Sequence, residues 1–132
     1  MTRMTMLLVA TLLVATGANA QVFRAENRVD VVGVPGGFEV RGDAGHGARG
    51  MWCAAADYAR RVLGAGGFDR IYIAEGRTPG IGQRAPVRFT MDPSGLIPRN
   101  VLIVGASLQE AGATLSVDHA RGFCADSKVI ER

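Results

Sequence analysis

The chain has 132 residues and a formal net charge of +3, with 15 basic residues set against 12 acidic ones. A balance this weak, without dense clusters of lysine and arginine, excludes a nucleic-acid-binding protein. The hydrophobic fraction of 48% and the recurring aromatic and β-branched residues exclude a disordered chain.

The first 20 residues have the anatomy of a secretory signal peptide. Arg3 provides a positive start, residues 6–15 form an apolar run, and Ala18-Asn19-Ala20 is a cleavage site of small residues. The apolar run is shorter than the roughly 20 residues that cross a bilayer. Residues 1–20 are therefore predicted to be a signal peptide. Residues 21–132 are predicted to form a single soluble domain in the bacterial periplasm, not embedded in the membrane.

The mature chain begins with the pattern of a β-hairpin. Residues 29–34 and 38–41 have the composition and alternation of strands, and Pro35-Gly36-Gly37 between them is a turn. Residues 42–50 contain four glycines and are expected to form a sharply turning connector.

From residue 48 onward, the apolar residues recur with the spacing of an α-helix. Across residues 48–63 the apolar side chains fall on one helical face, which consists mostly of alanine with Trp52 as its large anchor. Asp57 lies away from most of that face. It is expected to form a surface ion pair with Arg60 or Arg61, because residues three or four apart are neighbours on a helix.

The remaining chain has the patterns of further strands. Residues 70–74, 87–91 and 114–117 are strand-like, and residues 101–106 form a continuous apolar run typical of a central strand buried on both faces. The C-terminal segment fits a strand or a helical turn. The predicted order is β-β-α-β-β-β-β, an α+β fold with one helix packed on a mostly antiparallel sheet.

The two cysteines, Cys53 and Cys124, are predicted to form a structural disulfide, because an exported chain folds in an oxidising compartment. Three alternatives remain. A redox-active pair would normally appear as Cys-x-x-Cys, which is absent. A thiol nucleophile would use His119 as base and Asp118 to orient it. A zinc site would combine the cysteines with His46 and His119, although their spacings match no standard zinc module. No catalytic residue, metal ligand or cofactor is assigned.

Arginines near one loop are the candidate interaction residues. Arg77 and Arg84 are placed at the Pro/Gly-rich loop of residues 78–86, and Arg88 lies on the strand that follows. The planar guanidinium suits carboxylates and phosphates. The sequence therefore predicts contact between these arginines and an envelope protein or an anionic ligand.

Residues 50–59 (GMWCAAADYA), together with the leader and the pair Phe123-Cys124, carry a family resemblance. The chain resembles a group of small exported proteins of alphaproteobacteria to which no activity is assigned. The resemblance implies an exported location and a cysteine pair. We therefore expect a small, soluble, disulfide-stabilised periplasmic protein that acts as a non-enzymatic binding or accessory module of the cell envelope. The alternative is an enzyme or zinc-binding protein that uses His46, His119 and the cysteines.

Overall fold

A computed structural model describes residues 21–77 and 85–128. The predicted signal peptide, Arg84 and most of the predicted loop of residues 78–86 lie outside the described residues. Within these two ranges, seven strands form one sheet: β1 (Val22–Arg24), β2 (Asp30–Val34), β3 (Gly37–Val40), β4 (Arg70–Glu75), β5 (Val87–Thr90), β6 (Arg99–Asn100) and β7 (Ala113–Ser116). The helices are α1 (Ala48–Arg61), α2 (Val104–Ser107) and α3 (Val117–Gly122), and a 3₁₀ helix (Phe123–Lys128) follows α3.

The sheet has the strand order β1-β2-β3-β5-β4-β7-β6. Every neighbouring pair is antiparallel except β6 with β7, which is parallel. The α+β class and the mostly antiparallel sheet are thus confirmed. The prediction of a single helix is wrong, because the described residues contain α2, α3 and the 3₁₀ helix in addition to α1. Strand β1 also lies outside the predicted order.

Helix α1 is the centre of the core. The sequence predicts its end to within two residues. The helix is, however, buried on more than one side, because every residue from Gly50 to Ala59 is buried. The sheet covers one side and α3 with the 3₁₀ helix covers another. Trp52 is fully buried and meets Phe89 of β5 edge to face, with ring centroids 5.1 Å apart. Small alanine side chains allow this close packing on both sides.

The turn after β5 follows its sequence. The backbone N–H of Ser94 donates to Asp92 Oδ1 at 2.9 Å, and Gly95 has a φ of 76°, which glycine adopts without a steric penalty. Hydrogen bonds from the side chain and the backbone of Ser94 hold the pKa of Asp92 below its ordinary value.

The apolar run of residues 101–106 is not the buried central strand that its composition predicts. Strand β6 ends at Asn100 on the edge of the sheet, and α2 begins at Val104. Leu102 is 92% exposed and Ile103 is 74% exposed. After the chain leaves the sheet, α2 packs on α1, where Ser107 Oγ accepts a hydrogen bond from Trp52 Nε1 at 2.9 Å.

The C-terminal segment, for which the sequence left a strand or a helical turn open, is helical. Ser116 caps α3 by accepting a hydrogen bond from the backbone N–H of His119 at 3.2 Å. Within the two described ranges, no helix has the length and apolarity needed to cross a bilayer.

Candidate functional site

The described residues form an open cleft of about 670 Å³, which we call the polar cleft. Three segments form its walls: the turn between β1 and β2, the glycine-rich segment that follows β3, and the end of the 3₁₀ helix. Its ionisable lining residues are Glu26, Arg28, Asp30, Arg41, His46 and Lys128. The walls come from distant parts of the chain, so the cleft exists only in the folded protein.

The β1–β2 turn is anchored to helix α1 by two hydrogen bonds. The backbone N–H of Glu26 donates to Asp57 Oδ2 at 2.8 Å, and Asn27 Nδ2 donates to the carbonyl oxygen of Gly50 at 2.8 Å. Asp57 also pairs with Arg61 at 3.1 Å, as the helical spacing predicts. Asp57 is nevertheless buried rather than on the surface, because the turn and the helix enclose it.

The glycine-rich wall is held by its own backbone and by α1. The backbone N–H groups of Gly45 and His46 donate to Asp43 Oδ1 and to the Asp43 carbonyl oxygen, at 2.8 and 3.0 Å. A Cβ atom on Gly50 would overlap the carbonyl oxygen of Asp43. Glycine at position 50 therefore lets this segment lie directly against the first turns of α1.

The third wall is fixed by the disulfide. Cys53 of α1 and Cys124 of the 3₁₀ helix are bonded, with their Cα atoms 4.9 Å apart, which confirms the predicted pairing. Lys128 Nζ at the end of the 3₁₀ helix lies 3.8 Å from Glu26 Oε1 on the β1–β2 turn. The disulfide thus ties this wall to α1, the helix to which the β1–β2 turn is also anchored by hydrogen bonds.

The charges that line the polar cleft differ in their pairing. Arg41 Nε contacts Glu39 Oε1 at 2.9 Å, and Lys128 contacts Glu26. Within residues 21–77 and 85–128, the side chains of Arg28 and Asp30 make no ion pair or hydrogen bond. One cation and one carboxylate in the cleft are therefore available to a ligand.

The arginines predicted to contact a partner lie elsewhere. Arg77 is half-buried, and its Nη2 donates to the carbonyl oxygen of Ala85 at 2.8 Å. Arg88 is exposed on β5, where its Nη1 lies 3.7 Å from Glu75 Oε2. Neither residue lines the polar cleft. Their proposed contact with a partner stays a prediction.

The histidines and cysteines do not come together as the zinc hypothesis requires. His46 lines the polar cleft, whereas His119 is on α3, with its ring 5.6 Å from that of Phe123. Among the described residues, the ligand atoms close enough to share a metal ion belong to Glu26, Cys53 and Cys124, within 4.8 Å of one another. Neither histidine is in that group, and both sulfurs are already in the disulfide.

Sequence reasoning missed Arg28, Arg41 and Lys128 as site residues. Arg28 could have been found only by predicting the β1–β2 hairpin, because it lies in the loop between Arg24 and Asp30 that joins these two strands. That loop contains no glycine, although hairpin loops of this kind normally place one at the left-handed position.

No protein-family model, curated protein or solved structure matches the chain. The geometry of the polar cleft is therefore the basis for a functional assignment.

Proposed function

We propose that the protein is a small, disulfide-stabilised binding module of the bacterial periplasm that holds a polar ligand in the polar cleft and does not transform it. The observation that carries this proposal is the cleft itself: about 670 Å³, three anchored walls, and ionisable side chains of both signs on its surface. Its volume lies within the range of roughly 300–1,000 Å³ that small-molecule sites occupy.

The anchoring of the walls supports binding. The Glu26–Asp57 and Asn27–Gly50 hydrogen bonds fix the β1–β2 turn, and the disulfide fixes the 3₁₀ helix. A ligand that enters a preformed cleft does not have to order these segments, so less of its interaction energy is lost. The arrangement suits recognition of a small molecule by direct polar contacts.

The alternative, an enzyme or zinc protein using His46, His119 and the cysteines, has weaker support. A thiolate nucleophile or ligand requires a free thiol, and both sulfurs are in the disulfide. The orienting role suggested for Asp118 has no support either, because within residues 21–77 and 85–128 no hydrogen bond joins its carboxylate to the His119 ring, and the carboxylate lies against Gly67.

Ligand binding is tested by NMR titration of the ¹⁵N-labelled protein with four sugars that share the glucose ring and differ in charge: glucose, glucosamine, glucuronate and glucose 6-phosphate. We expect at least one of them to shift the backbone amide signals of the cleft walls, at Arg28, Gly42, Ala44, His46 and Lys128. The proton spectrum of the sugar should stay unchanged over a long incubation, because the protein binds without catalysis.

Two outcomes would contradict this proposal. One is that no sugar shifts the signals of the polar cleft, and the other is that a sugar is converted to product. Arg88→Gln is the matched control, since it removes an exposed arginine that does not line the cleft, and it should leave every titration unchanged.

The periplasmic location is tested by the intact mass of the protein recovered from a periplasmic extract. We expect a chain that begins at Gln21 and lacks two hydrogens relative to the free-thiol mass, because the leader is removed and the disulfide forms after export. Recovery only from the cytoplasm with residues 1–20 attached, or with two free thiols holding zinc, would count against the proposal.

A further inference from the structure

The backbone at Arg28 has a conformation that arginine rarely adopts. In the β1–β2 loop, the Arg28 N–H donates to the Ala25 carbonyl oxygen at 2.8 Å, and the Ala25 N–H donates to the Val29 carbonyl oxygen at 2.9 Å. This geometry gives Arg28 a φ of 66°, in the left-handed region. Glycine is the usual residue there, because a Cβ atom makes the conformation unfavourable. An arginine in this position weakens the fold relative to glycine.

Among the described residues, no polar contact of the Arg28 side chain compensates for this unfavourable backbone conformation. The Arg28 side chain is exposed and makes no ion pair or hydrogen bond with residues 21–77 or 85–128. The other two permanent cations of the polar cleft, Arg41 and Lys128, each have a carboxylate partner. Unfavourable backbone conformations of this kind cluster at active sites and ligand-binding segments, where the strain is part of the mechanism.

We propose that Arg28 binds the anionic group of the ligand and that the ligand of the polar cleft is a small hydroxylated acid, either a carboxylate or a phosphate ester. This inference rests on the proposed function. The guanidinium presents two parallel N–H donors that match two oxygens of such a group. Asp30, which lines the same cleft without a partner among the described residues, accepts a hydrogen bond from a ligand hydroxyl.

The cleft provides a matched control for backbone strain. Ala44 also lines the polar cleft and also has a positive φ, of 54°. Replacing Arg28 or Ala44 by glycine relieves the same kind of strain, but only the Arg28 replacement removes a charge. The pair therefore separates the effect of the guanidinium from the effect of a more flexible loop.

The test is calorimetric titration with glucuronate and glucose 6-phosphate, with glucose as the neutral probe. Arg28→Gly should lower the affinity for the acid that binds by about tenfold or more, the usual effect of losing a charge-assisted hydrogen-bonded pair. Its melting temperature should stay the same or rise by up to about 4 °C. Ala44→Gly should show the same thermal behaviour and a smaller loss of affinity than Arg28→Gly, because it removes no charge. The preferred acid identifies the carboxylate or the phosphate as the group recognised.

Four results would overturn the inference. Unchanged affinity in Arg28→Gly would remove Arg28 from the contact while leaving the proposed function intact. Equal affinity of the protein for glucose and for both acids would show that the ligand is not recognised as an anion. An equal loss in Ala44→Gly would assign the effect to loop flexibility. If no sugar binds the unaltered protein, the proposed function fails and the inference fails with it. Arg28→Asn, which tolerates the left-handed conformation, repeats the test without adding a glycine.

Discussion

Replacing both cysteines by alanine is expected to lower the free energy of unfolding by about 4 kcal/mol and the melting temperature by about 15 °C. Cys53 and Cys124 are 71 residues apart in sequence, so the bond removes many conformations from the unfolded chain. Alanine is the suitable replacement because both positions are buried, and serine would place an unpaired hydroxyl there. The measurement is urea unfolding followed by circular dichroism.

The same double variant has a consequence for the polar cleft. Without the bond, the 3₁₀ helix is held to α1 by packing and by the Arg49–Asp126 ion pair at 3.6 Å, which is exposed and adds little. Ligand affinity should therefore fall together with stability. Arg49→Gln, with the disulfide intact, is the control and should change neither by much. A loss of stability below about 1 kcal/mol in the double variant would contradict the structural role of the bond.

Replacing Trp52 by alanine is expected to lower the free energy of unfolding by about 4 kcal/mol. The indole is fully buried, packs edge to face on Phe89, and donates its N–H to Ser107 Oγ. Its removal leaves a cavity between α1 and the sheet and releases α2. Far-ultraviolet circular dichroism in urea is the measurement, since Trp52 is the only tryptophan and its fluorescence is lost.

Two further variants divide this effect into its parts. Ser107→Ala keeps the indole and leaves its buried N–H without a partner, which should cost about 1–3 kcal/mol. Leu102→Ala removes a large apolar side chain that is 92% exposed, and should change stability by no more than about 0.5 kcal/mol. A cost for Leu102→Ala comparable with that for Trp52→Ala would mean that residues 101–106 are buried, as their composition predicts.

The segments that the sequence predicts well are those shaped by local interactions. Helix α1 follows from alanine propensity and a 3.6-residue period, and the β2–β3 hairpin follows from its Pro-Gly-Gly turn. The Cys53–Cys124 bond was predictable because the chain has only two cysteines. The signal peptide, the periplasmic location and the resemblance to exported alphaproteobacterial proteins stay predictions.

The errors concern partners that are distant in sequence. The run of residues 101–106 is apolar enough for a central strand, yet whether a strand is central depends on which strands pair with it, and β6 lies at the edge next to β7. Asp57 has the spacing of a surface pair, but a turn 31 residues earlier covers it and donates to its carboxylate. The pattern of residues within a segment contains no information about the strand that pairs with β6 or about the turn that covers Asp57.

The sequence by itself thus determined the α+β class, the central helix and the disulfide, because these depend on residue type, period and cysteine count. Only the tertiary structure decided the polar cleft, in which we propose that a ligand binds. The polar cleft joins three segments from opposite ends of the domain through long-range hydrogen bonds and the disulfide. The left-handed backbone of Arg28 likewise depends on the pairing of β1 with β2, which places an arginine where a hairpin favours glycine.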